Sequence, residues 1–363
     1  MSLFVLVVIA SLLSLQVEAK PFRSSKAAAY TTYTPDNAAI SYSPYAWDVT
    51  SASASTINSA SSFRTLFSGT FLNLTFDVSS MVTPASQLYW KVDNGPLTPT
   101  TISSVIPVTI LLNVSATVPY HTLEVMVKST TERANRWFTG PGVNSTRIIF
   151  TGLVTDGDIV PFLGPTLNVL IYGDSISEGV LTLGGSKPFD TDHNDGSVVY
   201  SYAIGRLLGV EMGVIGFGAT GLSRGGSGNV PALGVSWNQL WNGTARVFTP
   251  KPDLIVFNEG TNDGNNNITA SFISVLNSLM IACPNTPVAI MLPFNGAQKD
   301  NLLAIVAATL GTTFVDTTGF YNQSLGGALH PTGPNDVARI APQLAAKLRP
   351  ILSKGIVAAA QEL

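Results

Sequence analysis

Apolar and polar positions alternate in two different ways along this chain, and the change falls near residue 160. Before it, Leu72, Leu74, Phe76 and Val78 alternate with Asn73, Thr75 and Asp77, the signature of a strand buried on one face. Leu88 to Asp93 reads as a second strand closed by Asn94-Gly95, a hairpin signal. Leu123, Val125 and Val127 alternate with Glu124, Met126 and Lys128, and residues 147–154 give another strand. Short strands with Pro and Gly punctuation and no useful helical period predict an all-β sandwich or jelly roll over 43–160. Residues 20–42, without a clear period, read as a poorly ordered leader.

After the Pro- and Gly-containing link 160–165, apolar runs too continuous for a half-exposed strand predict strands at 168–173, 210–216, 253–258, 287–293 and 313–315. Helical patterns lie at 197–208, 268–281, 297–310 and 334–352. Strands alternating with helices predict an α/β domain over 166–354, with a parallel sheet between two helical layers and a short tail at 355–363. The polar, Gly-rich loop 181–196 is either a substrate loop or a flexible one.

Composition narrows the picture. Of 363 residues, 45% are hydrophobic and only 11% charged, against about 25% in ordinary globular chains. That is ample for two cores. The net charge of −3 comes without a basic cluster, which points away from nucleic acid and anionic membranes. The apolar run Leu3 to Leu15 followed by Val17-Glu18-Ala19 predicts a signal peptide over 1–19, hence a secreted protein with no membrane attachment after cleavage. Six N-x-S/T sequons, at Asn73, Asn113, Asn144, Asn242, Asn267 and Asn322, predict N-glycosylation. Cys283 is the one cysteine and reads as a buried thiol.

Candidate chemistry gathers after the strands of the second half. Asn168 to Gly179 runs from an apolar strand into Gly-Asp-Ser, presenting Ser175 at the strand's carboxyl end. A serine there becomes a nucleophile only if a base and oxyanion donors meet it. Val214 to Gly221 offers glycines whose N–H groups are unobstructed; its G-x-G-x-x-G lacks the helix and acidic residue of a dinucleotide site. Asp253 to Asp263 ends in Gly-Thr-Asn-Asp, where Asn262 could aim its amide at an oxyanion or serve only the turn. Gly327-Ala-Leu-His-Pro331 places His330 before the last helix. Of the other histidines, His121 reads as a strand-edge residue and His193 as solvated. No metal-ligand spacing occurs, and no cofactor is expected.

Gly-Asp-Ser-Ile, a glycine after a strand, Gly-Thr-Asn-Asp and Leu-His-Pro, in that order, resemble the SGNH (GDSL-type) hydrolases over about 166–354. G-x-S-x-G is absent, which argues against an α/β-hydrolase elbow. The resemblance implies an αβα hydrolase domain with Ser175 as nucleophile and His330 as base. It also implies an oxyanion hole of the Ser175 and Gly218 N–H groups with the Asn262 side chain; Gly216 or Gly221 could replace Gly218. Phe67-Ser-Gly-Thr, Lys91-Val-Asp-Asn-Gly and His121-Thr-Leu-Glu-Val resemble the amino-terminal domain of carbohydrate esterase family 2, implying an acylated, chiefly acetylated, carbohydrate substrate. The family's aspartate three residues before the histidine is replaced here by Gly327. That implies a Ser–His dyad oriented by a main-chain carbonyl, with Asp316 a possible substitute acid and Asp174 bracing the turn. Trp90, Trp237 and Trp241 are either sugar platforms or core. A catalytically inactive glycan binder, and an esterase or lipase for small or lipid esters, are the alternatives.

Overall fold

The computed structural model describes residues 30–102, 108–111, 119–185, 191–321 and 329–360. The signal segment, Asn113, Asn322 and Gly327 lie outside the described residues. Two antiparallel six-stranded sheets face each other between Thr31 and Val160. One runs Asp48–Val49, Ala54–Thr56, Ile148–Thr155, Phe71–Asp77, Val108–Leu111, with Thr31–Tyr33 added on Ile148–Thr155. The other runs Ile159–Val160, Ser62–Phe67, His121–Ser129, Gln87–Val92, Thr98–Thr101, with Ser41–Tyr42 added on Ser62–Phe67. Phe63, Leu72, Leu74, Leu123, Val125, Phe150 and Leu153 point inward from both and form the sandwich core.

The leader is corrected. From Thr31 onward it belongs to the sandwich, because its strands pair with Leu153–Thr155 and with Phe63–Arg64, while Ala39 and Ile40 are buried in the core. His121 is also corrected: it starts a strand paired on both sides, is buried, and its Nδ1 lies 2.7 Å from Asp93 Oδ2.

The second half holds a five-stranded parallel sheet in the order Glu211–Phe217, Asn168–Asp174, Leu254–Asn258, Val288–Met291, Thr312–Val315. Helices cover both faces, as the continuous apolar strands require. Phe272, Val275, Leu276 and Leu279 of the helix Thr269–Ala282, with Leu302 and Ile305 of Lys299–Ala308, pack on Leu170, Tyr172, Phe257 and Ile290. Ile204 of Tyr200–Leu208 and Ile340, Leu344 and Leu348 of Gly333–Ala360 pack on Val169, Ile171, Val256 and Met291. That last helix runs past the expected end, through the predicted tail to Ala360. No helix among the described residues is long and apolar enough to cross a membrane.

Beside its own core, each half contributes to a shared one. Tyr45, Ile57 and Trp137 of the sandwich belong to the same buried cluster as Tyr172, Phe217 and Trp241. Polar ties reinforce the contact: Arg64 bridges to Glu211 at 2.6 Å, and the Tyr45 hydroxyl donates to the Pro250 carbonyl at 2.8 Å.

Candidate active site

Strand order reverses around Asn168–Asp174: the next strand in sequence lies on one side of it and all later ones on the other. Ligands of open α/β sheets bind at the carboxyl end of such a switch point. Ser175 sits there. It opens a single-turn helix, Ser175–Glu178, whose N-cap Asp174 accepts from the Ile176 N–H at 2.9 Å. Asp174 is therefore the brace expected of it. Complete burial pushes its carboxyl up to about 6, against the Ile176 N–H, which favours the charged form. Gly173 and Gly216 let the helix settle on the strand ends: a Cβ on Gly216 would come within 2.7 Å of the Glu178 nitrogen.

His330 reaches this serine from the loop before the last helix. Its Nε2 lies 2.9 Å from Ser175 Oγ, and the side chain is buried, while Ser175 is half-buried. Burial holds the imidazole pKa below its ordinary value, because the cation loses more hydration than the neutral ring. A neutral Nε2 facing a hydroxyl is the arrangement a general base needs. The Tyr321 hydroxyl donates to the His330 carbonyl at 3.2 Å and fixes the loop.

Asp316 does not serve His330. It is exposed, and its Oδ1 accepts from the Thr318 N–H at 2.9 Å and hydroxyl at 2.6 Å, so it closes its own turn. Among the described residues, no carboxylate or carbonyl accepts from His330 Nδ1.

The groups expected as oxyanion donors are engaged to different degrees. The Gly218 N–H is committed to Glu178 Oε2 at 2.7 Å in a buried setting, which takes it out of the expected hole. Gly221 N–H donates to the Arg224 carbonyl at 3.0 Å, and Gly216 lies inside a strand beneath the helix. Ala219, between these glycines, is half-buried with φ +60, and its N–H has no acceptor among the described residues. Asn262 is half-buried beside Asp174; its Nδ2 donates to the Thr220 carbonyl at 3.0 Å and, at a longer 3.3 Å, to Asp174 Oδ2. Asp263 accepts from the Leu222 and Ser223 N–H groups at 3.0 and 2.8 Å, pinning the glycine-rich loop alongside. The Gly-Thr-Asn-Asp turn thus holds both neighbouring segments.

Three residues carry weight here without having been singled out by the sequence. Ser177 Oγ and Asn258 Nδ2 both lie 2.6 Å from the Tyr200 hydroxyl, in a fully buried knot under the Ser175–Glu178 helix. Polar residues inside otherwise apolar elements were the only available signal. The loop after the helix is fastened rather than loose where it is described. Lys128 Nζ and Ser129 Oγ donate to the Thr191 carbonyl at 2.7 and 2.9 Å, and the Tyr89 hydroxyl donates to Asp195 at 2.8 Å. His193 is half-buried against Gly185 rather than solvated.

Of the tryptophans, Trp241 is core. Trp237 is half-buried and stacks on Phe248, and Trp90 is half-buried and donates to Thr100 Oγ1 at 3.2 Å. Cys283 is buried, its thiol pushed up to about 11 by burial. Of the described sequons, Asn144, Asn242 and Asn267 are exposed, whereas Asn73 is half-buried in a strand paired on both sides. A cleft lined by Pro284, Thr286, Leu310, Thr312 and Lys354 lies at the amino ends of the last two strands, away from Ser175 and without its chemistry.

No protein-family model matches the sequence, and no curated protein matches it. Solved structures do share the fold. A family two carbohydrate esterase from Cellvibrio japonicus superposes with a TM-score of 0.72 at 17% identity, over 90% of this chain and 98% of that one. A family two carbohydrate esterase from Clostridium thermocellum, in complex with cellohexaose, gives 0.69 at 18% identity over 86% and 99%. An acetyl xylan esterase from the rumen bacterium Butyrivibrio proteoclasticus gives 0.70 at 15% identity over 90% and 98%. The likeness spans both halves, so a β-sandwich joined to a three-layer α/β domain is the common architecture.

Proposed function

We propose that this protein is a secreted serine esterase that removes acyl groups, chiefly acetyl, from carbohydrate. The observation that carries the reading is the 2.9 Å approach of His330 Nε2 to Ser175 Oγ at the carboxyl edge of the sheet. His330 takes the Ser175 hydroxyl proton as Oγ bonds to the ester carbonyl carbon. The carbonyl oxygen becomes an oxyanion, held by the Ser175 and Ala219 N–H groups and by the Asn262 amide, which exchanges its long bond to Asp174 for one to the oxyanion. His330 then gives its proton to the departing sugar hydroxyl as the C–O bond breaks. Water, deprotonated by His330, releases the acyl group and restores the serine. With no carboxylate on His330 Nδ1 among the described residues, Ser175 and His330 act as a dyad. A carbohydrate substrate is supported by the fold shared with esterases of that class, one of them solved with cellohexaose. Secretion rests on the 1–19 segment, and glycosylation on the exposed Asn144, Asn242 and Asn267.

Incubation with p-nitrophenyl acetate and with acetylated xylan or mannan tests the reading. Release of acetate is expected from the parent protein and not from Ser175→Ala. Hydrolysis that survives in Ser175→Ala, or no hydrolysis of any acyl ester by the parent, overturns it. Faster release from long-chain esters than from acetylated glycan overturns the substrate class alone.

A further inference from the structure

Glu178 is the last residue of the nucleophile helix and is 2% exposed. Its two oxygens face different parts of the molecule. Oε1 accepts from Arg136 Nη1 of the sandwich at 2.7 Å, and Oε2 accepts from the Gly218 N–H at 2.7 Å. Arg136 is fully buried; its guanidinium lies 5.6 Å from the Phe217 ring centre, and its own N–H donates to the Gly228 carbonyl at 2.9 Å. Glu132, also of the sandwich and buried, adds a second carboxyl 3.8 Å from Arg136. One arginine between two buried carboxyls leaves room for one proton, and burial, then the neighbouring Glu178, pushes Glu132 up to about 9. The knot is therefore neutral below that pH, as a buried group must be.

We propose that Glu178 is a positioning residue: bridging Arg136 and Gly218, it fixes the turn that presents the Ala219 N–H to the oxyanion and makes that presentation depend on the docked β-sandwich. The inference rests on the esterase reading above. A carboxylate–amide bond in a water-excluded site is stronger than a neutral one. Losing it releases the turn adjacent to Ser175 without touching a substrate-binding contact. Gly218 has no alternative residue there, since a Cβ would fall 1.4 Å from Glu132 Oε1.

The experiment measures kcat and KM for p-nitrophenyl acetate beside the amide NMR spectrum of the full chain. In Glu178→Gln one of the two donors must face an NH2 group. We expect kcat to fall roughly 100-fold, the size of one lost oxyanion donor, KM to stay within about 3-fold, and the Gly218 amide proton to shift upfield. Full kcat in a folded Glu178→Gln protein overturns the proposal. Should Glu178→Gln not fold, Gly218→Ala decides. Alone it loses kcat, because Glu132 crowds the turn away from Glu178. Combined with Glu132→Ala, which vacates that space, it regains at least 10-fold of the loss. No regain overturns the proposal. An inactive parent protein with a downfield Gly218 amide strikes at the esterase reading instead, leaving the bridge itself standing.

Discussion

His330 carries the clearest acid–base consequence. Its pKa is held below the ordinary 6.5 by burial, so the neutral base persists into mildly acidic solution. The acid limb of kcat/KM is expected to have its midpoint below about 6.5, where an exposed histidine would titrate; a limb centred above that value would mean that a nearby negative charge outweighs burial. Asn262 makes a second expectation. Its amide holds the Thr220 carbonyl and the Asp174 carboxylate in the resting site, so Asn262→Ala removes the proposed oxyanion donor and a brace together. Stopped-assay kinetics should show kcat falling by about 100- to 1,000-fold, with a modest change in KM.

Ser175–Glu178 is only four residues long, too short to be stable by itself. Its geometry is imposed from two sides: the Tyr200–Asn258–Ser177 knot beneath, and the Arg136–Glu178–Gly218 bridge above. Tyr200→Phe removes the hydroxyl both Ser177 and Asn258 use and leaves the buried Asn258 amide with only a 3.4 Å contact to Ser177 Oγ, its Oδ1 having no partner among the described residues. A loss of about 1–3 kcal/mol in urea unfolding is expected. These bonds also explain what the sequence revealed. The parallel strands were legible within a residue or two, because burial on both faces leaves unbroken apolar runs such as Val169–Tyr172. The places of Ser175 and His330, now 2.9 Å apart, were legible because one follows such a strand and the other precedes a periodic helix. The bond from the Gly218 N–H was not legible, because its acceptor, Glu178, is 40 residues away and reads locally as an ordinary helical glutamate. Thr31–Tyr33 and Ser41–Tyr42 were missed for the same reason: strands this short exist only through partners distant in sequence.

The sandwich and the α/β half share one apolar cluster and a buried charge knot, so they are expected to unfold together. Calorimetry should give a single transition; two well-separated ones would contradict the shared core. Stability should also depend on pH in a definite direction. Glu132 ionises near 4.5 when unfolded and near 9 when folded. The unfolded chain sheds that proton first, so this group's contribution is complete below about 4.5 and is lost progressively as pH rises toward 9. Glu259, wholly buried with neither carboxyl oxygen hydrogen-bonded among the described residues and its pKa raised well above normal by burial, adds to the same trend. Lowered carboxyls such as Asp93 and Glu124, each resisting its own burial through His121 or Arg64, act oppositely at the acid end. Melting temperature should therefore decline as pH rises from about 4.5 toward 9, and Glu132→Gln should flatten that decline.

The shared cluster has one more effect, on the order of events during synthesis. The ribosome releases the sandwich first, yet Tyr45, Ile57 and Trp137 have their apolar partners in strands and loops not made until residues 172–241 emerge. For that interval the nascent sandwich carries a greasy, unfinished flank, and Arg136 lacks the counter-charge of Glu178. A chain stopped near residue 165 is thus expected to be captured by chaperones or to precipitate, whereas the full chain hides that flank as soon as the parallel sheet closes over it.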